Sequence, residues 1–348
     1  MRISTLALLF PALLAAGVVQ AADKPITLRV QHPLPSTSSA QKNLIEPWCA
    51  KIREESANRL QCQIYPAMQL GGTPAQLIDQ VRDGVVDVIW TTATYASGRY
   101  TKSEVFELPW VTRSAEASSK ALWTYVQDNA TDEFKGVRPV FLHLHEGALL
   151  HFADGRKPQK LEDLQSLKLR APTRLNSRSI EALGATPVQM PMAAVPESMA
   201  KKVIDGILVP WESAPAIRLQ ELAKYHVDVP EGQPRLSNTI FLFGMNPAKY
   251  DSLPDDLKAV IDANSGLEAS GWAGRTAFDD LSGVYRDQIV AAGGEIYHLP
   301  QAEYERWVAA TEPVQETWFK EVAAKGGDGP ALLRQARELV ERYEAERQ

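Results

Sequence analysis

Strand-like and helix-like segments alternate along this chain, and the alternation starts twice. ITLRVQ (26–31) has strand character and leads into a helix-forming run from Ser38 to near Asn58. QCQIYP (61–66) returns to strand, PAQLIDQVRDG (74–84) to a helix closed by Gly84, and VVDVIWTT (85–92) to strand. The order begins again with RPVFLHLHE (138–146), LKLRAP (167–172), a helix from Asn176 to Leu183, and TPVQM (186–190). A helix near 193–203, the strand DGILVPW (205–211) and a helix around 214–224 follow. Such β-α-β-α order calls for α/β layers around a largely parallel sheet. Two runs of it call for two lobes, and the 348 residues suffice for both.

The stretch after Pro254 breaks this rhythm. Asp255 to Ala291 holds no proline and carries Leu257, Val260, Ile261, Leu267, Phe278, Leu281, Val284, Tyr285 and Ile289 at mostly helical spacing. One helix of that span would reach about 55 Å at 1.5 Å per residue, longer than a single lobe. It is therefore expected to span both lobes, unless Gly266, Gly271 or Gly274 divides it.

Met1 to Ala21 has the make-up of a secretory leader. Arg2 supplies the positive start, Leu6 to Leu14 an apolar run broken by Pro11, and Val19-Gln20-Ala21 a small-x-small cleavage site. The apolar run is too short for a membrane span, which needs roughly 20 residues. Cleavage after Ala21 and export are expected, in a Gram-negative cell to the periplasm. Export bears on the two cysteines, because oxidising compartments let disulfides persist. Cys49 lies late in the first helix and Cys62 opens the strand after it, so a bridge between them is expected. The other reading leaves both as buried thiols that pack as small apolar side chains.

The sequence offers little for catalysis. There is no GxSxG nucleophile elbow. His145-Glu146 opens like HExxH, but Leu149 stands where the second histidine belongs. His143, His145 and His151 read as satisfied strand or loop histidines rather than a metal site. Gly71-Gly72 follows a strand but lacks both GxGxxG and P-loop spacing. With 37 basic against 43 acidic residues there is no general excess of positive charge, which argues against nucleic acid as a partner. No cofactor or metal is expected, and no enzyme activity.

Six segments in order resemble one family, the periplasmic solute-binding proteins of TRAP transporters (the DctP-type group). They are YPAMQLGGTPAQLIDQVRDGVVDVIW (65–90), FELPWV (106–111), LEDLQSLKLRAPTR (161–174), ALGATPVQMP (182–191), VIDGILVPWES (203–213) and FLFGMNPAKYDSLPDDLKAVID (241–262). Each is weak alone, but together they cover almost all of the chain after the leader. The resemblance implies an α/β, two-lobe periplasmic-binding-protein fold with hinge strands and a long helix spanning both lobes. On that basis lobe I is expected at 22–146 plus about 239–278, and lobe II at 147–238 plus about 279–348, sharing the helix at about 255–291. The resemblance also implies a small-molecule carboxylate ligand and, as partners, the small and large membrane subunits of a TRAP permease.

The family's ligand carboxylate is held at the position of Arg170, at the end of LKLR. Pro172 pushes Ala171 toward an extended conformation and ends the strand at a lobe edge. An arginine there can grip a carboxylate through two parallel N–H···O bonds, which lysine cannot reproduce. Without the resemblance it would read as a surface arginine. Trp211, in VPWES, begins the family's next cleft loop. Trp90 and Thr92 share one face of their strand, where the family places further contacts. His32, in the HPLP loop, is expected at the cleft as a ligand contact or a backbone cap. Phe241 and Met192 complete the expected lining. Relatives that bind sialic acid carry a second arginine about twenty residues before LKLR; here Leu149 or Leu150 stands near that place, with Glu146 and His145 as the polar candidates. A single arginine among aromatic residues suits a monocarboxylate with an apolar or aromatic body, such as a 2-oxo or 2-hydroxy acid whose extra oxygen meets Thr92 or Glu146. The alternatives are a sugar acid stacked on the tryptophans, service to a sensor instead of a permease, and a secreted two-lobe lyase using His145 and Glu146.

Overall fold

The computed structural model describes residues 24–347. The leader expected at 1–21 lies outside the described residues. Strands β1 (Ile26–Gln31), β2 (Leu60–Tyr65), β3 (Val88–Thr92) and β4 (Arg138–His143) share a sheet with a later strand, whereas β5 (Leu149–Phe152), β6 (Lys168–Ala171), β7 (Thr186–Gln189), β8 (Gly206–Val209) and β9 (Tyr225–Asp228) form most of a second. The chain then returns to the first sheet with β10 (Phe241–Met245) and to the second with β11 (Glu295–His298). The orders are β2-β1-β3-β10-β4 and β11-β9-β5-β8-β6-β7.

Neither sheet is purely parallel. β10 runs antiparallel to β3 and β4, and β5 antiparallel to β8 and β9. Both are the strands by which the chain arrives directly from the other sheet. An arrival of that kind has no covering crossover helix, and only such a helix returns a chain to run parallel to its neighbour. The two crossings, 144–148 and 229–240, are tied to each other: Ala148 N donates to Ser237 O at 2.8 Å, and Asn238 Nδ2 donates to His145 O at 2.6 Å. They form the hinge strands.

Each sheet is covered on both faces. One face of the first packs Leu28, Val30, Phe141 and Phe243 against Trp48, Ile52, Leu257 and Ile261 of the helices Glu46–Glu55 and Asp255–Ala263. The other carries Leu77, Val81, Leu122 and Tyr125 from the helices Leu77–Arg82 and Ala115–Asn129. The second sheet buries Leu150, Leu169 and Leu208 under Ile180 and Trp307, and Ile207 and Val209 under Val195, Ile217 and Ile289. Cys49 and Cys62 are joined in a disulfide with α-carbons 5.8 Å apart, linking Glu46–Glu55 to β2.

The long helix is shorter than the 255–291 expected. It breaks at Gly266, whose φ of +90° a side-chain-bearing residue rarely adopts, and then runs without interruption through 267–291, about 37 Å. Gly271 and Gly274 do not break it. A Cβ at Gly274 would sit 2.4 Å from Ala115 O, so this glycine lets the helix press on the backbone of Ala115–Asn129. The N-terminal half packs on β4 and Ala115–Asn129, and the C-terminal half on the one-turn helix Trp211–Ser213 beside the second sheet.

The C-terminal helices also depart from the expected division, which gave all of 279–348 to lobe II. Gln301–Ala324 starts in the second core with Tyr304 and Trp307 and ends in the first with Val314, Trp318 and Val322. Gly329–Glu346 packs wholly on the first through Leu333, Ala336 and Val340, and its Tyr343 hydroxyl lies 2.8 Å from Thr124 Oγ1. The apolar stripe of this last helix finds its matching face on Ala115–Asn129.

Candidate ligand-binding cleft

A cleft opens between the sheets at the strand ends. The first sheet's side contributes Pro33, Leu34, Trp90, Thr92, Tyr95 and Phe241. The second contributes Arg170, Pro172, Met192, Pro210, Glu212 and Ser213, and the crossings add His145, Ala148 and Thr239. Among the described lining residues Arg170 is the only arginine or lysine.

Arg170 is 1% exposed. Its Nε donates to Met190 O at 3.0 Å and its Nη1 to Leu208 O at 3.1 Å, so two backbone carbonyls fix the guanidinium plane. Nη2 has no hydrogen-bond partner, and no carboxylate pairs with the side chain among the described residues. Burial lowers its pKa, with the Tyr95 hydroxyl beside it opposing that. A guanidinium remains charged in any protein environment, and a buried charge without a counter-charge is costly. The cleft thus presents an uncompensated cation to whatever enters.

The opposite wall is aromatic. Trp90 and Phe241 stack with centroids 4.9 Å apart and planes inclined by 17°, and Phe241 stacks on Phe278 at 5.7 Å. Register explains the contact: Phe243 faces Trp90 and Phe241 faces Thr92 across β10 and β3, so Phe241 is a diagonal neighbour of Trp90 on the same sheet face. Trp90 Nε1 donates to His143 Nε2 at 2.8 Å, which fixes the indole. Burial holds His143 neutral, with its pKa lowered to about 3.

Two ionisable groups complete the lining. Gly147 N donates to His145 Nδ1 at 3.1 Å, so the neutral imidazole carries its proton on Nε2; burial holds its pKa well below the ordinary value. Glu212 is 6% exposed, and burial, aided by Glu146, pushes it up to about 8. Burial thus favours its neutral acid form.

Arg170, Trp90, Thr92, Phe241 and Met192 therefore share one cleft, whereas three expected residues lie elsewhere. Trp211 is 0% exposed, packed against His151 at 4.9 Å and His226 at 5.2 Å. In the single turn Trp211–Ser213 successive side chains diverge, and the indole takes the core while Glu212 takes the cleft. His32 is also buried, its Nε2 2.9 Å from Gln41 Oε1, and only its neighbours Pro33 and Leu34 reach the lining. Glu146 lies 3.6 Å from Arg235 Nη1, in a separate polar depression with Arg113, Asp228 and Arg286. It does not line the same cavity as His145. Leu149 and Leu150 are core residues and not cleft lining, so they do not occupy a clamp position facing a ligand. Tyr95, His145 and Glu212 were not expected as ligand contacts. Tyr95 sits in the turn after β3, and Glu212 follows the tryptophan that carried the motif.

The family model for bacterial extracellular solute-binding protein, family 7, matches residues 30–321. A TRAP solute-binding protein from Rhodoferax ferrireducens T118, solved with copurified benzoate, is 38% identical, covering 93% of this chain and 100% of that one with a TM-score of 0.90. A marine metagenome TRAP protein specific for aromatic acid ligands, solved with 3-hydroxybenzoate, is 40% identical over 92% and 99% of the two chains, at 0.89. A Bordetella bronchiseptica TRAP protein with bound mandelate is 26% identical over 91% and 99%, at 0.83. Matched along most of its length, this chain belongs to family 7 of the bacterial extracellular solute-binding proteins, the solute-binding proteins of TRAP transporters, which capture organic acid anions.

Proposed function

We propose that this protein captures a monocarboxylate with an aromatic body in the periplasm and delivers it to the small and large membrane subunits of a TRAP permease. The observation that carries the reading is Arg170, a buried cation with a free Nη2 and no carboxylate partner among the described residues, set opposite the Trp90–Phe241 stack. A carboxylate supplies the missing counter-charge through a charge-assisted hydrogen bond, and a flat apolar body fits the aromatic wall. The benzoate and 3-hydroxybenzoate found in relatives of 38% and 40% identity support the same class. A second carboxylate on the ligand would meet Trp90, Phe241 or Met192 and lie buried unpaired, at a cost of several kcal/mol. The further oxygen of a 2-oxo or 2-hydroxy acid would meet Thr92, not Glu146. Export through cleavage after Ala21 belongs to this reading. No covalent step is involved; ligand favours the closed arrangement because only there do both lobes touch it.

Calorimetry of the purified protein with benzoate, mandelate, succinate and a hexuronate tests this. Tight binding of the aromatic acids and none of succinate is expected. Tight binding of succinate or the hexuronate with no aromatic acid bound would overturn it.

A further inference from the structure

We infer that Glu212 reads a hydroxyl carried by the captured acid, so that the cleft selects hydroxylated aromatic acids over their unhydroxylated parents. The inference rests on the reading of the cleft as an aromatic-acid site and adds a second recognition point to it.

The second sheet's side of the cleft brings two buried ionisable groups to the ligand. One is Arg170. The other is Glu212, which is nearly as buried and makes no ion pair with any described residue, Arg170 included. Hydroxyls of Ser39 and Ser213 lie beside it, and the titratable groups facing it are Glu146 from the crossing strand and Tyr285 from the long helix. None of these is a cation. A carboxylate there would repel an anion entering the same cleft, and burial already favours the uncharged acid.

A neutral carboxyl has one O–H donor and keeps acceptor capacity. A hydroxyl has the same complement and can satisfy it reciprocally. A bare ring edge offers neither group, and a ligand without a hydroxyl would leave the Glu212 carboxyl with only the Ser39 and Ser213 hydroxyls as partners. Sites built to hydrogen-bond a substrate hydroxyl discriminate strongly against the analogue lacking it, because the buried partner is stranded. Thr92, Thr239 and Ser213 also line the cleft, each with a single hydroxyl, and Trp90, Phe241, Met192 and Leu34 supply its apolar surface.

The test is calorimetry at pH 7 with benzoate and its 2-, 3- and 4-hydroxy derivatives on the wild-type protein, Glu212→Gln and Glu212→Leu. At least one hydroxybenzoate is expected to bind the wild type roughly ten- to a hundredfold more tightly than benzoate. Glu212→Gln keeps a donor and an acceptor and should keep most of that preference. Glu212→Leu should abolish it, with the hydroxybenzoate-to-benzoate affinity ratio falling to about one. Should the leucine variant fail to fold, the wild-type ratio and the glutamine variant still decide. If benzoate binds as tightly as every hydroxybenzoate, or if Glu212→Leu leaves the ratio unchanged, the role of Glu212 is overturned while the aromatic-acid reading stands. Failure of the wild type to bind any of the four acids overturns both.

Discussion

Arg170 shows how a residue's surroundings rather than its type give it a task. Two carbonyls, Met190 O and Leu208 O, hold its guanidinium without neutralising it. A surface arginine would instead be solvated or paired, as Arg82 is with Asp79 and Asp83. Truncating one partner of a buried hydrogen-bonded charge pair costs about 2–5 kcal/mol, roughly 30-fold to several thousandfold in affinity. Arg170→Ala should therefore lose nearly all benzoate binding by calorimetry while keeping the circular dichroism of the wild type. Arg170→Lys keeps the charge but not the planar fork and should fall between the two. Unaltered affinity in a folded Arg170→Ala protein would remove this residue from the site. Legibility at this scale followed chemistry that a motif or a strand parity could carry. Arg170 precedes a proline at a strand end, and Trp90 and Thr92 share a strand face. Which member of Trp211–Glu212 faces the cleft was not readable, because one turn of helix has no periodicity and the choice is made by the His151–His226 pocket that receives the indole.

Among the elements, the early strands and helices could be read because their apolar residues recur with a clear period. Strands β5, β9 and β11 could not: each has four residues, too few to show a period, and unlike the equally short β6, β7 and β8 none lies in a segment that carries the family resemblance. Gly266 and Gly274 make the same point for helices. Both interrupt an apolar pattern in the sequence, yet one ends a helix and the other lies inside one, and the difference comes from the Ala115 backbone pressed against Gly274. Local pattern cannot report a contact between residues so far apart in the chain. The Cys49–Cys62 bridge acts on this scale by pinning the helix Glu46–Glu55 to the edge strand β2. Its partners are separated by 13 residues, and closing a loop of this size in the unfolded chain is worth about 3 kcal/mol in the entropy model. The Cys49→Ala/Cys62→Ala protein should lose about 3 kcal/mol of unfolding free energy and so unfold at a lower denaturant concentration. Thiol titration of the denatured, unreduced wild type should find no free thiol, and two titratable thiols would show that the bridge does not form.

For the molecule as a whole, the cleft is set between two bodies that carry many buried ionisable groups, and their titrations pull stability in opposite directions. Glu107 lies at the junction: it accepts from Ile240 N at 3.1 Å on the first-sheet side and from Thr173 Oγ1 at 2.7 Å on the second. Burial pushes Glu107 and Glu146 up to about 7 and Glu212 up to about 8. A carboxyl whose folded pKa is raised binds more protons folded than unfolded, so its contribution is complete below about 4.5 and is lost as pH climbs through the folded value. The buried histidines act in reverse. Burial lowers His32 and His226 to about 4 and His143 to about 3, with His145 and His151 also held low. Their unfolded forms take up protons below about 6.5 while the folded forms do not, so stability falls as pH drops from there toward the folded values. The two sets oppose each other only between about 4.5 and 6.5. Below that window the histidines act alone, and above it the carboxyls do. The thermal midpoint of the ligand-free protein should accordingly peak inside the window and decline toward both pH 4 and pH 9. Replacing Glu107 and Glu146 by glutamine should flatten the alkaline limb and leave the acid limb as it was. A midpoint that keeps rising from pH 6 to pH 9 would mean that these carboxyls ionise at ordinary values and that the junction and the cleft are wetter than the packing shows.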